Sequence, residues 1–339
     1  MSLDLPFPAA PEPGHTLTVA PGILWLRMPL PFALDHINLW LIEEGDAWAI
    51  VDTGLASNRS RELWDGVLTG PMGGRAPTRL LCTHFHPDHM GLAHWLTERF
   101  GLTMETTLGE WLMGLGFSQQ PVDHFNVISL PFYKRAGFSD ELITLASKRG
   151  NGYAQLTPQV PSRYTRIKGG EALALGGRRW EVIIGEGHSP ELAQLWCAEA
   201  GLLISGDQVL PSISPNISVW PTEPEGDPLG LYLATLENLA HLPENTLVLP
   251  SHGLPFRGLH KRIDTMASHH EQRIELTVET CKEPITAADL IKVMFKRQLD
   301  DRTVFFALGE ALAHLHHART RGLVTRMLED DGVHRWRRA

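Results

Sequence analysis

Residues 80–90 read Leu-Leu-Cys-Thr-His-Phe-His-Pro-Asp-His-Met, so His84, His86, Asp88 and His89 fall within six positions. The short, largely apolar run 79–83 ahead of them reads as a buried strand. Histidines two apart on an extended chain point to the same side. Pro87 lets the chain turn, and Asp88-His89 then opens a helix with a carboxylate in its first turn, where the helix dipole favours it. Two imidazoles therefore face one way, and a neighbouring carboxylate and imidazole another. That arrangement suits two adjacent metal ions better than one.

Four further segments repeat one pattern. Asp52 follows the aliphatic run 47–50, His188 follows 180–184, Asp207 follows 202–204 and His252 follows 247–249. Each run reads as a strand whose end delivers one His or Asp beside a glycine that permits a sharp turn. Ligands at the ends of sheet strands are held more rigidly than ligands on free loops. In order and chemistry these motifs resemble those of the metallo-β-lactamase superfamily, from about residue 21 to residue 252.

The resemblance implies that His84, His86 and His188 hold a first metal ion, that Asp88, His89 and His252 hold a second, and that Asp207 bridges both. It casts Asp52 as a carboxylate that orients a ligand imidazole. The donor chemistry agrees. Five imidazoles and two carboxylates suit zinc first, with iron or manganese also compatible, whereas calcium or magnesium would take oxygen ligands almost exclusively. Two such ions about 3.5–4 Å apart can share a hydroxide and lower the pKa of water toward about 7. The expected cofactor is therefore a pair of divalent transition metal ions, and the expected chemistry is hydrolysis. Asp88 and Asp52 are the catalytic candidates, Asp88 to hydrogen-bond the hydroxide and pass its proton onward.

The chain is 43% hydrophobic and 20% charged, an ordinary globular composition, and its 339 residues allow one large domain plus an appendage. No apolar run reaches about eighteen residues, so no membrane helix is expected. The first residues carry neither the basic region nor the apolar core of a signal peptide. Three scattered cysteines, Cys82, Cys197 and Cys281, fit a reducing compartment, and a cytoplasmic location is expected. Antibiotic-degrading members of the superfamily work outside the cytoplasmic membrane and lack an aspartate matching Asp207. The resemblance thus points to the hydroxyacylglutathione hydrolase and lactonase-like branches.

The expected fold is α+β: the αββα four-layer metallo-β-lactamase sandwich over 1–258, then a winged-helix-like helical domain over 259–339. A proline-rich tail ends near Gly22. Strands are expected over 23–28, 37–43, 47–52, 180–184, 192–197, 202–205 and 247–249, with helices over 59–67, 89–100 and 229–239. The aromatic-rich insertion 104–168, with a capped helix over 139–149, is placed to form a lid. Its Lys134, Arg135, Lys148, Arg149, Arg163, Arg166 and Lys168 are candidates to receive an anionic handle. Residues 208–221 hold three prolines and no charge, so they should form an ordered loop walling the site, with Asn216 and Trp220 as candidate substrate contacts.

Beyond residue 258, helices over 259–281, 287–295 and 303–321 precede strands over 323–327 and 333–338 that flank an Asp330-Asp331-Gly332 turn. From Arg257 onward there are 15 Lys and Arg against 12 Asp and Glu; before it there are 15 against 27. Phosphate binding draws on accumulated positive charge. This balance favours packing or homodimerisation over nucleic-acid reading for the tail. His314, His316 and His317 are expected on a solvated face. The expected function is hydrolysis of a small ester, thioester or lactone, with a small-molecule substrate and no membrane partner. The alternatives are a metal-dependent single-strand endoribonuclease and a mononuclear-iron sulfur dioxygenase.

Overall fold

The computed structural model describes residues 3–296 and 298–339. One sheet takes β1 (Thr16–Ala20), β2 (Ile23–Pro29), β3 (His36–Glu44), β4 (Ala47–Val51), β5 (Pro77–Leu81), β6 (Met104–Thr106) and β7 (Tyr164–Arg166) in that spatial order. Pairing is antiparallel as far as β4 and parallel from β4 to β7. The second sheet takes β8 (Ala172–Leu175), β9 (Arg178–Gly185), β10 (Leu192–Cys197), β11 (Leu202–Gly206) and β12 (Leu247–Pro250), of which only β11 and β12 run parallel.

Side-chain alternation along the strands builds the layers. Leu39 and Leu41 of β3 join the core with Trp64 of α1 (Asn58–Thr69). After the four-residue α2 (Pro87–Met90), α3 (Ala93–Phe100) adds Leu96 to that core. Trp40 and Ile42 point the other way and meet Trp25, Trp180 and Leu195 between the sheets. In the second sheet Leu202 and Ile204 face this inter-sheet core, while Leu203 and Val248 turn to the outer core. A one-residue slip in either sheet would exchange the two faces, so the pattern pins the register. Helix on sheet on sheet on helix is the four-layer sandwich.

The insertion between β6 and β7 is helical: α4 (Leu108–Gln119), α5 (Val122–Arg135), α6 (Asp140–Arg149) and α7 (Gly152–Leu156). Ser139 caps α6 by accepting from Leu142 N–H. After β11 the chain crosses as α8 (Pro228–Leu239) and returns along β12. A C-terminal helical domain follows, with α9 (Leu259–Thr280), α10 (Ala287–Met294), α11 (Thr303–Thr320) and the hairpin β13 (Val324–Leu328) to β14 (His334–Arg338). Thr286 and Asp289 close a reciprocal capping box at the start of α10. Trp336 of the hairpin is fully buried in the core formed with α9–α11.

Three expectations need correction. The proline-rich tail contains β1, because Thr16, Leu17, Thr18 and, past a bulge at Val19, Ala20 pair with β2 and leave the prolines outside the ladder. The single helix expected over 89–100 is two, broken at Gly91. A Cβ there would lie 2.2 Å from Pro87 O and 2.8 Å from Ala56 N, so the break seats α2 against the turn after β4. His314 and His316 are buried rather than solvated, since α11 runs through the middle of its domain. His316 Nδ1 lies 3.0 Å from Gly226 O, and His317 Nδ1 lies 3.1 Å from an Asp227 carboxylate oxygen. The three cysteines are buried and free. Among the described residues, no helix is long and apolar enough to cross a membrane.

Candidate metal centre

The parallel strands β4, β5, β11 and β12 end on one side of the sandwich, and the turns after them carry Asp52, the 84–89 cluster, Asp207 and His252. His188 arrives on the turn between β9 and β10. Gly187 enables that turn: it has φ +91°, and a Cβ would lie 2.3 Å from Pro228 O. All seven candidate ligands come together, in two groups. His84, His86, His188 and Asp207 form one; Asp88, His89 and His252 form the other.

Asp207 faces both. Its Oδ2 lies 3.3 Å from His188 Nε2, while its Oδ1 lies 3.4 Å from both His89 Nε2 and His252 Nε2. Asp88 Oδ2 sits 3.5 Å from His252 Nε2 and 3.9 Å from His89 Nε2. The carboxylates thus concentrate beside the second group. Although burial opposes it, Asp52, Asp207 and Asp88 raise His89 well above the ordinary histidine range. Burial, followed by the neighbouring imidazoles, holds His84 well below that range; burial and then His188 do the same for His86. Against its own burial, Asp207 is drawn well below the carboxylate range by His252 and His89.

Hydrogen bonds fix which nitrogen each ring offers. His89 Nδ1 donates to Asp52 Oδ2 at 2.8 Å, His188 Nδ1 to Asn216 O at 2.8 Å and His252 Nδ1 to His36 O at 2.7 Å. Thr83 spends its own proton on Asp52 at 2.8 Å, leaving Oγ1 to accept from His84 Nδ1 at 3.1 Å. With Nδ1 occupied, Nε2 is the nitrogen each of these four rings would offer a metal ion, which on His89 would displace the proton its carboxylates favour. His84 Nε2 lies 2.9 Å from His86 Nδ1, an approach that a shared cation satisfies in place of a shared proton. His89 Nε2, His188 Nε2 and Asp207 Oδ1 are buried with no hydrogen-bond partner. Orphaned donor atoms of this kind are costly unless something polar completes them. Imidazole nitrogens and carboxylate oxygens converging in this way fit divalent metal ions.

Asp52 is the one non-glycine residue at positive φ among those described, at 64°. Such strain persists where surrounding bonds over-determine it. Here Thr83 N–H and Thr83 O–H donate to the two carboxylate oxygens at 2.7 and 2.8 Å.

Sequence reasoning missed several supporting residues. Glu110 of α4 is fully buried and accepts from Phe85 N–H at 2.9 Å, Ser189 O–H at 2.8 Å and Glu191 N–H at 2.7 Å. It therefore pins both turns that carry the first histidine group. Burial pushes its carboxyl up to about 7, against the pull of those donors. Asn38 donates to Pro250 O and Gly253 O and braces the His252 turn, as does His36. The Asn216 carbonyl orients His188, and its side chain accepts from Ser218.

Beside His86 opens an apolar cavity of about 200 Å³. Its walls come from four separated segments: Phe85 and Pro87 of the ligand turn, Phe117, Phe125, Tyr133 and Tyr153 of the insertion, Trp220 after β11, and Phe305 and Phe306 of α11. The insertion's aromatics thus both pack and wall this space. The loop 208–221 is held by the C-terminal domain: Arg262 of α9 donates to Leu210 O and Ile213 O, and Gly309 O of α11 accepts from Val219 N–H.

Residues 33–252 match the family described as the metallo-beta-lactamase superfamily, and residues 274–339 match the metallo-beta-lactamase-like C-terminal domain. The chain is similar to a beta-lactamase domain protein from Burkholderia ambifaria, at 43% identity and TM-score 0.93, covering 99% of this chain and 98% of that one. It is also similar to a metallo-beta-lactamase family protein from Thermus thermophilus, at 28% identity and TM-score 0.81, covering 95% and 100%. A metallo-beta-lactamase from Pontibacter korlensis shares the fold alone, at 14% identity and TM-score 0.52, covering 75% and 97%. No curated protein matched the chain.

Proposed function

Given that the chain belongs to the metallo-beta-lactamase superfamily, we propose that it hydrolyses a small ester, thioester or lactone. Its class, metal-dependent hydrolase, follows from that membership and from the His/Asp cluster. The observation that carries the substrate reading is the aromatic cavity that begins at His86. An acyl group can lie there in apolar surroundings with its carbonyl at the cluster, whereas a polyanion finds little positive charge in an acidic catalytic region.

In this reading His84, His86 and His188 would hold one divalent ion, Asp88, His89 and His252 would hold the other, and Asp207, whose oxygens face both groups, would serve both. Zinc suits this mixture of imidazole and carboxylate. When bound, such a pair would supply an activated water and polarisation of the carbonyl. Asp88 takes the proton released during attack, as a general base. Asp52 keeps His89 in the required tautomer and angle. Tyr153, which donates to Phe85 O at 2.7 Å, holds the ligand turn against the insertion. Residues 1–258 form the catalytic domain in this account. Residues 259–339 form a winged-helix-like domain that works by completing the cavity wall. These features favour the hydroxyacylglutathione hydrolase and lactonase-like branches.

The test is a panel of thioesters, lactones and single-stranded RNA, assayed on full-length protein of measured metal content. Turnover of at least one acyl class, lost on chelation, is expected. Metal-dependent RNA cleavage with no acyl hydrolysis would overturn the reading.

A further inference from the structure

Seven basic residues lie between positions 134 and 168, and six of them are exposed. Arg149, the last residue of α6, is half-buried and lines the aromatic cavity. Its guanidinium lies over the Phe305 ring, 5.1 Å from the centroid. It makes no ion pair with any described acid. Asp300, whose charge favours it, is engaged by Thr303 N–H, Thr303 O–H and Arg302 N–H at the start of α11. Arg302 adds a like charge nearby and lies over Phe32 instead. Burial pulls the Arg149 guanidinium below its ordinary pKa, with Tyr133 acting in the opposite direction.

A charge taken partly out of water is costly unless it is paired. The end of the α6 dipole and the Phe305 face each return a fraction of that cost. Neither accounts for a cation facing a cavity whose other walls include Phe117, Phe125, Ile128 and Phe306. A planar guanidinium with free N–H groups in apolar surroundings matches a carboxylate, which can take two parallel bonds. A doubly charged phosphate would call for more cations than the one present.

We infer that the substrate carries a carboxylate that pairs with Arg149, its apolar body lying among the aromatic walls between that ion pair and the metal centre. This deepens, and rests on, the proposed acyl-hydrolase reading. Arg149 is a specificity residue here and takes no part in bond breaking. Phe305, on the C-terminal domain, carries the guanidinium and so links that domain to substrate choice.

The test uses unreactive amides titrated calorimetrically into metal-loaded, full-length protein. A homologous series of dicarboxylic acid monoamides is compared with fatty amides of equal length, and with phosphonate-ended amides. The carboxylate-ended amide of best length should bind about tenfold or more tightly than its neutral match, the scale of a charge-assisted pair. Arg149→Met should remove that preference while leaving the neutral amide's affinity within about twofold. Arg149→Gln, which keeps polarity and most of the bulk, should do the same and serves if the first variant folds poorly. No preference in the parent, a preference that survives both substitutions, or equal weakening of both amides would overturn the inference. Tighter binding of the phosphonate would overturn the carboxylate assignment. Selective binding without cleavage of the matching esters and thioesters would sink the hydrolase reading and support the anion site. Cleavage without selectivity would sink the anion site alone.

Discussion

In the metal cradle, four of five imidazoles have Nδ1 tied to a carboxylate, a hydroxyl or a carbonyl, and every ligand sits on a turn leaving a sheet or, for Asp88 and His89, on the short helix α2 that follows one. In the cavity beside it the walls are rich in aromatic side chains, drawn from segments as far apart as Phe85 and Phe306. The first region depends on residue chemistry and angle, the second on bulk. Substitutions in the cradle should therefore act steeply on metal content and turnover. Those in the cavity should act gradually on substrate affinity.

The steepest effect is expected at Asp207, whose two oxygens face different ligand groups. Asp207→Ala should strip both ions and abolish activity, whereas His252→Ala should chiefly loosen the second ion. Metal analysis after dialysis separates the two outcomes. Equal loss in both variants would erase the distinction between bridge and single-site ligand.

Next comes Asp88→Asn, which keeps size and one oxygen donor but gives up charge and proton acceptance. Turnover should fall by about 10² or more with both ions retained, the span typical of a lost general base. Full metal content with near-parental kcat would remove Asp88 from proton transfer.

In the cavity, Phe305→Ala should raise KM by about tenfold while kcat stays within about twofold, the signature of lost uniform binding. A matching fall in kcat would mean that the C-terminal helix supports the cradle itself, through the 208–221 loop it contacts.

The smallest effect tests the joint between the regions. Glu110 has its folded pKa raised from 4.5 to about 7, so its carboxyl favours folding when protonated. That contribution is present in full below about pH 4.5 and is lost as pH rises through about 7. In metal-stripped protein, the parent should therefore lose stability relative to Glu110→Gln between pH 5 and about 7.5, read as the difference in denaturation midpoints. A difference independent of pH would contradict the assignment.

The contrast between cradle and cavity also explains what the sequence made legible. His84-x-His86-x-Asp88-His89 and the strand ends at 188, 207 and 252 could be read because metal coordination restricts the residue types and because strands carry a two-residue period. Thr83 stood next to that motif, but a lone hydroxyl carries no such restriction. Glu110 reaches Ser189 and Glu191 across about eighty positions of chain, and its neighbours Gly109 and Trp111 give no sign of it. His36 and Asn38 brace a turn more than two hundred residues away. Phe305 and Phe306 read as part of an apolar helix face; only tertiary packing brings them to a cavity at His86. The prolines around Thr16 masked β1, although its alternating β-branched residues were the available signal.

The metal content of the full-length protein, purified and supplemented with zinc, manganese or iron, tests the central claim most directly. Two ligand groups sharing Asp207 predict about two transition metal ions per chain. A single tightly held ion under every supplementation would contradict a dinuclear centre.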